Sequence, residues 1–218
     1  MIPTMSHNLV LLADVVQSRT IADRERFQRQ LKHTFDEVNE AENEWLSVPL
    51  TTMKGVDEFG CVLTHRAPLP DIIVPLQRVA HPTGIRFGLA AGSIDVGTGS
   101  DTVAEMDGPA FHEASSLLEE LRDTGQYVAI ETDDPLDDLI AGALDLLAMG
   151  ELSVTPRQLE IITAYGDHGT QSAAGDELGI HQQAVSESLT RSQYRQRQAV
   201  RTQLRETLEE LYDSSRIE

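Results

Sequence analysis

The sequence contains a single cysteine, Cys61, and only two lysines, Lys32 and Lys54. One cysteine excludes an internal disulfide, and its place in an apolar run makes a buried thiol the expectation. The seven histidines are scattered, with no pair at the spacing a zinc site needs. The opening residues MIPTMSHN lack the basic start and apolar stretch of a signal peptide. The longest apolar segment, 139–149, is broken by Asp145, which is too short and too polar for a membrane span. A soluble, cytoplasmic protein with no membrane partner is therefore expected, and the chain shows no repeat or low-complexity segment.

What the chain has in excess is acid, with a formal net charge of -19 over 218 residues. With the positive charge left almost entirely to arginine, this composition matches halophilic proteins from a salt-saturated cytoplasm. Self-repulsion is screened there, because the Debye length is only about 3 Å at 1 M salt. Acidic charge of this kind does not exclude DNA as a partner. It is also uneven: residues 151–218 hold seven arginines against eleven acids, or -4, leaving -15 for residues 1–150. The length suits one ordinary domain plus a small second one.

Local patterns divide the chain further. Leu9 to Ala13 is a short apolar run ending at Asp14, which predicts a buried strand. Apolar residues at Ile21, Phe27, Leu31, Phe35, Val38 and Ala41 recur with a helical period. Two strands, Val48 to Met53 and Phe59 to Thr64, flank a hairpin tip at 54–58. Asp71 is placed to cap a helix running to Ala80. Gly84 to Gly92 alternates as a strand, 93–107 is a glycine-punctuated loop, 109–123 is a helix and Tyr127 to Glu131 a strand.

The order β-α-β-β-α-β-α-β contains the split β-α-β arrangement of ferredoxin-like folds, in which helices cover one face of a largely antiparallel sheet. The expected class is α+β: a ferredoxin-like, nucleotidyl cyclase-like domain over 1–132, a connecting helix over 133–150 ended by Gly150, and an all-α domain over 151–218.

In such a sheet the first strand neighbours the hairpin, so Asp14 and the tip acids Asp57 and Glu58 approach one edge. Paired carboxylates in that setting can hold Mg²⁺ with nucleotide phosphates. The plainer readings stay open: Asp14 as a turn cap, and Asp57–Glu58 as a solvated tip. The segments ADVVQSR (13–19), KGVDEF (54–59), GIRFGLAAGSI (84–94) and DGPAFHEAS (107–115) resemble the SatD family in order and spacing over roughly residues 8–131. That resemblance implies a domain like the catalytic domain of class III and diguanylate cyclases. Asp14 and Asp57 would then be the metal ligands, Glu58 a third, and Mg²⁺ with a nucleotide the cofactor. Two positions depart from the pattern: Val56 stands where a glycine is expected, and Ser115 where an arginine is common. Only Lys54, Arg19 and Arg86 then remain for a triphosphate, which favours a nucleotide-sensing or inert domain over an active cyclase.

The segment from Thr155 to Arg191 reads as a helix-turn-helix. Its turn sits at Gly179, between Leu178 and Ile180, with small Gly175 where two helices cross and Val185 on the inner face. A second helix starting near His181 turns Gln182, Gln183, Ser186, Glu187 and Thr190 outward, and glutamine can read adenine edges in the major groove. The run, with its Thr-Pro-Arg-Gln opening, resembles the helix-turn-helix of sigma-factor region 4. Arg191, Arg195, Arg197 and Arg201 follow closely, as a phosphate-facing or a solvated row. Beyond them Val200, Leu204, Leu208 and Leu211 form a narrow stripe suited to folding back on the helix-turn-helix or to pairing in a homodimer. The preferred function is a DNA-binding transcriptional regulator on double-stranded DNA; the alternative is a cyclase-related nucleotide-binding enzyme.

Overall fold

A computed structural model describes residues 8–55 and 57–215; Val56, at the position of the missing glycine, lies outside the described residues. Five strands, β1 (Asn8–Val15), β2 (Leu46–Lys54), β3 (Glu58–Leu63), β4 (Ile85–Gly92) and β5 (Val128–Glu131), form one sheet in the order β2-β3-β1-β4-β5. The first four pair antiparallel and β5 adds parallel to β4. The ferredoxin-like α+β arrangement is therefore present, extended by one strand.

The helices do not keep to one face, which corrects the expectation. Leu9, Leu11, Ala13 and Val15 of β1 belong to a core shared with α1 (Arg24–Ala41), α2 (Leu69–Val79) and α4 (Asp137–Leu152). Val10 and Leu12 point the other way, into a second core built with α3 (Pro109–Thr124). A central strand that is apolar at nearly every position needs cover on both sides, and that is the pattern of NLVLLADV. Both cores contain large, fully buried residues such as Leu11, Phe59 and Phe87 in the first and Val10 in the second.

Two amide side chains complete the sheet where strands lack partners. Gln77, fully buried, donates to the Ile85 carbonyl (2.6 Å) and accepts from the Ile85 amide (3.0 Å). Asn39 does the same for Leu50 (3.1 and 2.7 Å), a residue left out of the β2–β3 ladder by a register shift between Val48 and Thr51.

Two local expectations fail for reasons of packing. Helix α2 begins two residues before Asp71, with Pro70 in its first turn, and the Asp71 carboxylate is taken by Arg201 and Arg205 instead of capping. Helix α4 does not stop at Gly150 but runs on to Leu152. The glycine is there for space, since a Cβ at 150 would sit 2.5 Å from Cδ of Arg197.

After α4, three short helices, α5 (Pro156–His168), α6 (Gln171–Leu178) and α7 (Gln182–Arg191), enclose a small core of their own: Val154, Ile161, Ile162, Ala164, Ala174, Val185 and Leu189. Thr155 and Gln158 form a reciprocal capping box at the start of α5, with Pro156 at its first position.

The last helix, α8 (Tyr194–Ser215), leaves this unit through a Tyr165–Tyr194 edge-to-face contact and returns to the sheet unit. There Leu208 is buried and Leu204 half-buried against the main core, a burial that contributes about 1.5–3 kcal/mol for a leucine. The expected apolar stripe thus docks on neither its own three-helix unit nor an exposed seam. It seats on α2 and α4, while Val200 and Leu211 stay exposed.

Arginines hold that seat. Arg197 (2.8 Å) and Arg78 (3.0 Å) grip the two oxygens of buried Glu151, Arg201 reaches Asp71 at 2.6 Å, and Arg205 contacts Asp71, Glu42 and Glu209. Burial pushes the Arg197 guanidinium below its usual range against the pull of Glu151. Arg205, though desolvated, is raised by its three carboxylates.

Candidate functional site

Strand register decides which acids meet. Asp14 of β1 stands directly opposite Glu58 of β3 and Arg86 of β4, and Glu58 stands opposite Lys54 of β2. One row across four strands therefore reads Lys54, Glu58, Asp14, Arg86. On β1 and β3 this row shares its face with Val10, Leu12 and Val62, so it looks toward α3. Two carboxylates directly opposite repel unless cations flank them, and here they do. Oδ1 of Asp14 lies 3.7 Å from Arg86, and Oδ2 lies 3.4 Å from Arg122 of α3. The carboxylate is mostly shielded from solvent, and its Oδ1 has no hydrogen-bond partner among the described residues.

Asp14, Glu58, Ser115, Glu119 and Arg122 border a cavity of about 220 Å³ floored by Leu12, Met53 and Leu118. Arg122 is the residue that sequence reasoning missed. Ser115 lacks the expected guanidinium, yet Arg122 lies seven residues on, two turns along the same helix face, and supplies one to the same cavity. Asp57 goes elsewhere. Its carbonyl accepts from the Val15 amide (2.9 Å), which sets the hairpin tip beside the end of β1, while its carboxylate accepts from Ser18 Oγ (2.7 Å). The structure thus brings together Asp14 and Glu58, with Asp57 turned toward the loop after β1. Among the described residues no three His, Cys, Asp or Glu side chains converge as a metal cluster.

The second cluster lies on α7. Gly179 ends α6 in the left-handed region (φ 63), and its amide caps the helix. The turn between α6 and α7 closes so tightly on Gly175 that a Cβ there would lie 2.7 Å from the Ile180 carbonyl oxygen. Val185, Ser188 and Leu189 face inward, which leaves Gln182, Gln183, Glu187, Thr190 and Arg191 exposed and Ser186 half-buried. Glu187 is held between Gln183 and Arg191 (both 3.3 Å), and Thr190 donates to the Ser186 carbonyl (2.9 Å). Arg195 is exposed on α8. Arg197 and Arg201, in contrast, are committed to Glu151 and Asp71, so they do not form part of a phosphate-facing row. Their partners lie 46 and 130 residues away in sequence, out of reach of any local pattern.

Among the described residues no single helix is long and apolar enough to cross a membrane. No curated protein matches the chain. Two solved structures of a bacterial light-regulated adenylyl cyclase are similar at 16% and 12% identity, with TM-scores of 0.41 and 0.40. Each comparison covers 57% of this chain and 42% of the cyclase chain. The SatD family model matches residues 8–152, from the first residue of β1 to the last of α4, and so takes in the whole sheet with the helices α1 to α4. The chain belongs to the SatD family.

Proposed function

We propose that the protein is a DNA-binding regulator in which α7 is the recognition helix and the SatD unit serves as a sensory or interaction domain. The supporting observation is the tight α6–α7 turn against Gly175, followed by a helix whose polar, nearly uncharged face is exposed. In this reading α5 to α7 form a helix-turn-helix domain, and Gln182 and Gln183 at the start of α7 are the residues that enter the major groove. A glutamine paired with an adenine edge is worth about 1–3 kcal/mol of discrimination. Of the four arginines from Arg191 to Arg201, Arg191 and Arg195 are left for phosphate, and two such contacts predict a log–log salt slope of about -2. So shallow a dependence suits binding in concentrated salt.

The test is fluorescence anisotropy on duplexes selected from a random pool. Replacing Gln182 and Gln183 together by alanine is expected to weaken specific binding at least tenfold, with the thermal midpoint unchanged because both side chains are exposed. Equal affinity and an equal footprint for the double variant would remove α7 from the groove.

A second reading, a cyclase-related nucleotide-binding enzyme, is supported by the facing pair Asp14 and Glu58 beside a cavity. As arranged, that donor set fits a resident Mg²⁺ poorly. Each oxygen of Asp14 faces a guanidinium, and Asp57 is engaged by Ser18. Mg²⁺ with a nucleoside triphosphate that raised the thermal midpoint of the wild type but not of Asp14→Asn would favour this reading over the first.

A further inference from the structure

Helix α4 buries acids beside its core residues Ile140, Leu144, Leu147 and Ala148. Three of its four acids, Asp137, Asp145 and Glu151, are buried, each with a partner: Asp137 takes the Thr132 hydroxyl and Arg66, Asp145 the Tyr127 amide, Glu151 two arginines. Meanwhile Leu139, Leu146 and Met149 are 69%, 71% and 48% exposed. These three, with Gly142, fall at intervals of three, four and three residues and so line one face. The outward stripe from Leu139 to Met149 carries no charge in a chain of net charge -19. A charge-matched acidic or basic partner would find nothing to pair with there.

We propose that this stripe is the contact between two copies of the chain, packed antiparallel about a two-fold axis. The pattern is self-complementary. In an antiparallel pair Leu139 stands opposite Met149 and Gly142 opposite Leu146, and both pairs centre on position 144. Each Leu146 then meets its mate's Gly142, where an added Cβ would have nothing within 4 Å among the described residues. One knob and one hole on the same face, exchanged by the axis, is the requirement of an isologous interface.

Electrostatics select the same arrangement. Two strongly acidic molecules associate most readily where neither presents a carboxylate, and Asp138 is the one exposed acid of α4. The axis places it opposite Gly150 of the other copy, about 18 Å along the helix from its own counterpart, beyond a Debye length of about 8 Å. The exposed apolar area of the stripe is on the order of 300 Å², which with its surround reaches the low end of specific interfaces, about 1,200 Å². An interface this small is expected to be weak, with a dissociation constant on the order of micromolar.

Size-exclusion light scattering in about 1 M salt, from about 1 to about 100 µM chain, tests this. The wild type is expected to pass from the 24.0 kDa single chain to twice that mass. Leu146→Glu is expected to stay a single chain throughout with its melting curve intact. Gly142→Leu fills the hole and is also expected to stay single, yet to melt higher, since leucine favours a helix more than glycine does. This combination separates a blocked interface from a damaged fold. A wild type that remains one chain, or a dimer that both variants retain, would overturn the proposal. So would flotation of single-chain wild type on phosphatidylcholine vesicles, which would assign the stripe to a lipid surface.

Discussion

The sheet unit and the three-helix unit are held together in different ways. The first encloses two extensive cores, one on each face of β1, while the second relies on seven buried residues, six from three short helices and Val154 ahead of them. The sheet unit takes nearly all of its core from its own strands and helices, with Leu208 of α8 added. The helical unit is seated from outside: α8 begins at its Tyr194 and ends on the sheet unit's core at Leu208, fixed by arginines to carboxylates of α2 and α4 and to Glu42 after α1. The two units are thus tied through α8, and also by the hydrogen bond between His81 Nε2 and the Val154 carbonyl (2.8 Å).

Three substitutions would break or sharpen that contrast. The largest effect is expected at Glu151, whose carboxylate is 2% exposed and held by Arg78 and Arg197. Glu151→Ala leaves two guanidinium groups shielded without their counterion, which typically costs about 3–5 kcal/mol. Hydrogen exchange in this variant is expected to rise across α8 and the three-helix unit while β1 and β4 stay protected. Uniform loss of protection would mean that the two units unfold as one.

A smaller and more local effect is expected at Gly175. In Gly175→Val the new side chain collides with the Ile180 backbone, an overpacking cost of about 1–3 kcal/mol. DNA binding should fall with it, and the sheet unit's exchange should not change. Equal affinity for wild type and variant would show that the α6–α7 turn does not set the proposed recognition surface.

The smallest effect belongs to the sheet unit alone. Burial tends to raise the carboxyl pKa of Asp134, but the Leu136 amide and the Arg66 guanidinium outweigh it and leave it below the usual aspartate range. A depressed folded-state pKa stabilises above the unfolded value, and that contribution is lost as pH falls through the folded one. In denaturant titrations the wild type should therefore exceed Asp134→Asn by a constant margin above about pH 5, shrinking below about pH 4. A margin independent of pH would assign the effect to packing.

Much of this was legible from local pattern, and the failures share a cause. The strands and α1 follow from apolar period and the Gly179 turn from residue size, but the break at Gly169 and Thr170 that separates α5 from α6 was not legible. Which tip acid faces Asp14 was not legible: Asp57 and Glu58 are adjacent, and one step of register exchanges their faces. The seat of α8 was hidden for another reason. A stripe of leucines records that a partner exists, whereas its identity rests on Asp71 and Glu42, 134 and 163 residues from Arg205. Gly150 misled in the same way, because space for Arg197 looks in sequence like a helix stop.

Asn39 has a consequence for how the molecule survives crowding. Strand β2 is an outer member of the sheet, and an outer strand with free peptide groups is a template onto which other chains add. At Leu50, where the ladder is interrupted, a primary amide presents the same donor and acceptor that a neighbouring peptide would, and occupies both groups. One side chain thereby closes that edge at Leu50, and a foreign strand would have to displace Asn39 to pair with β2 there.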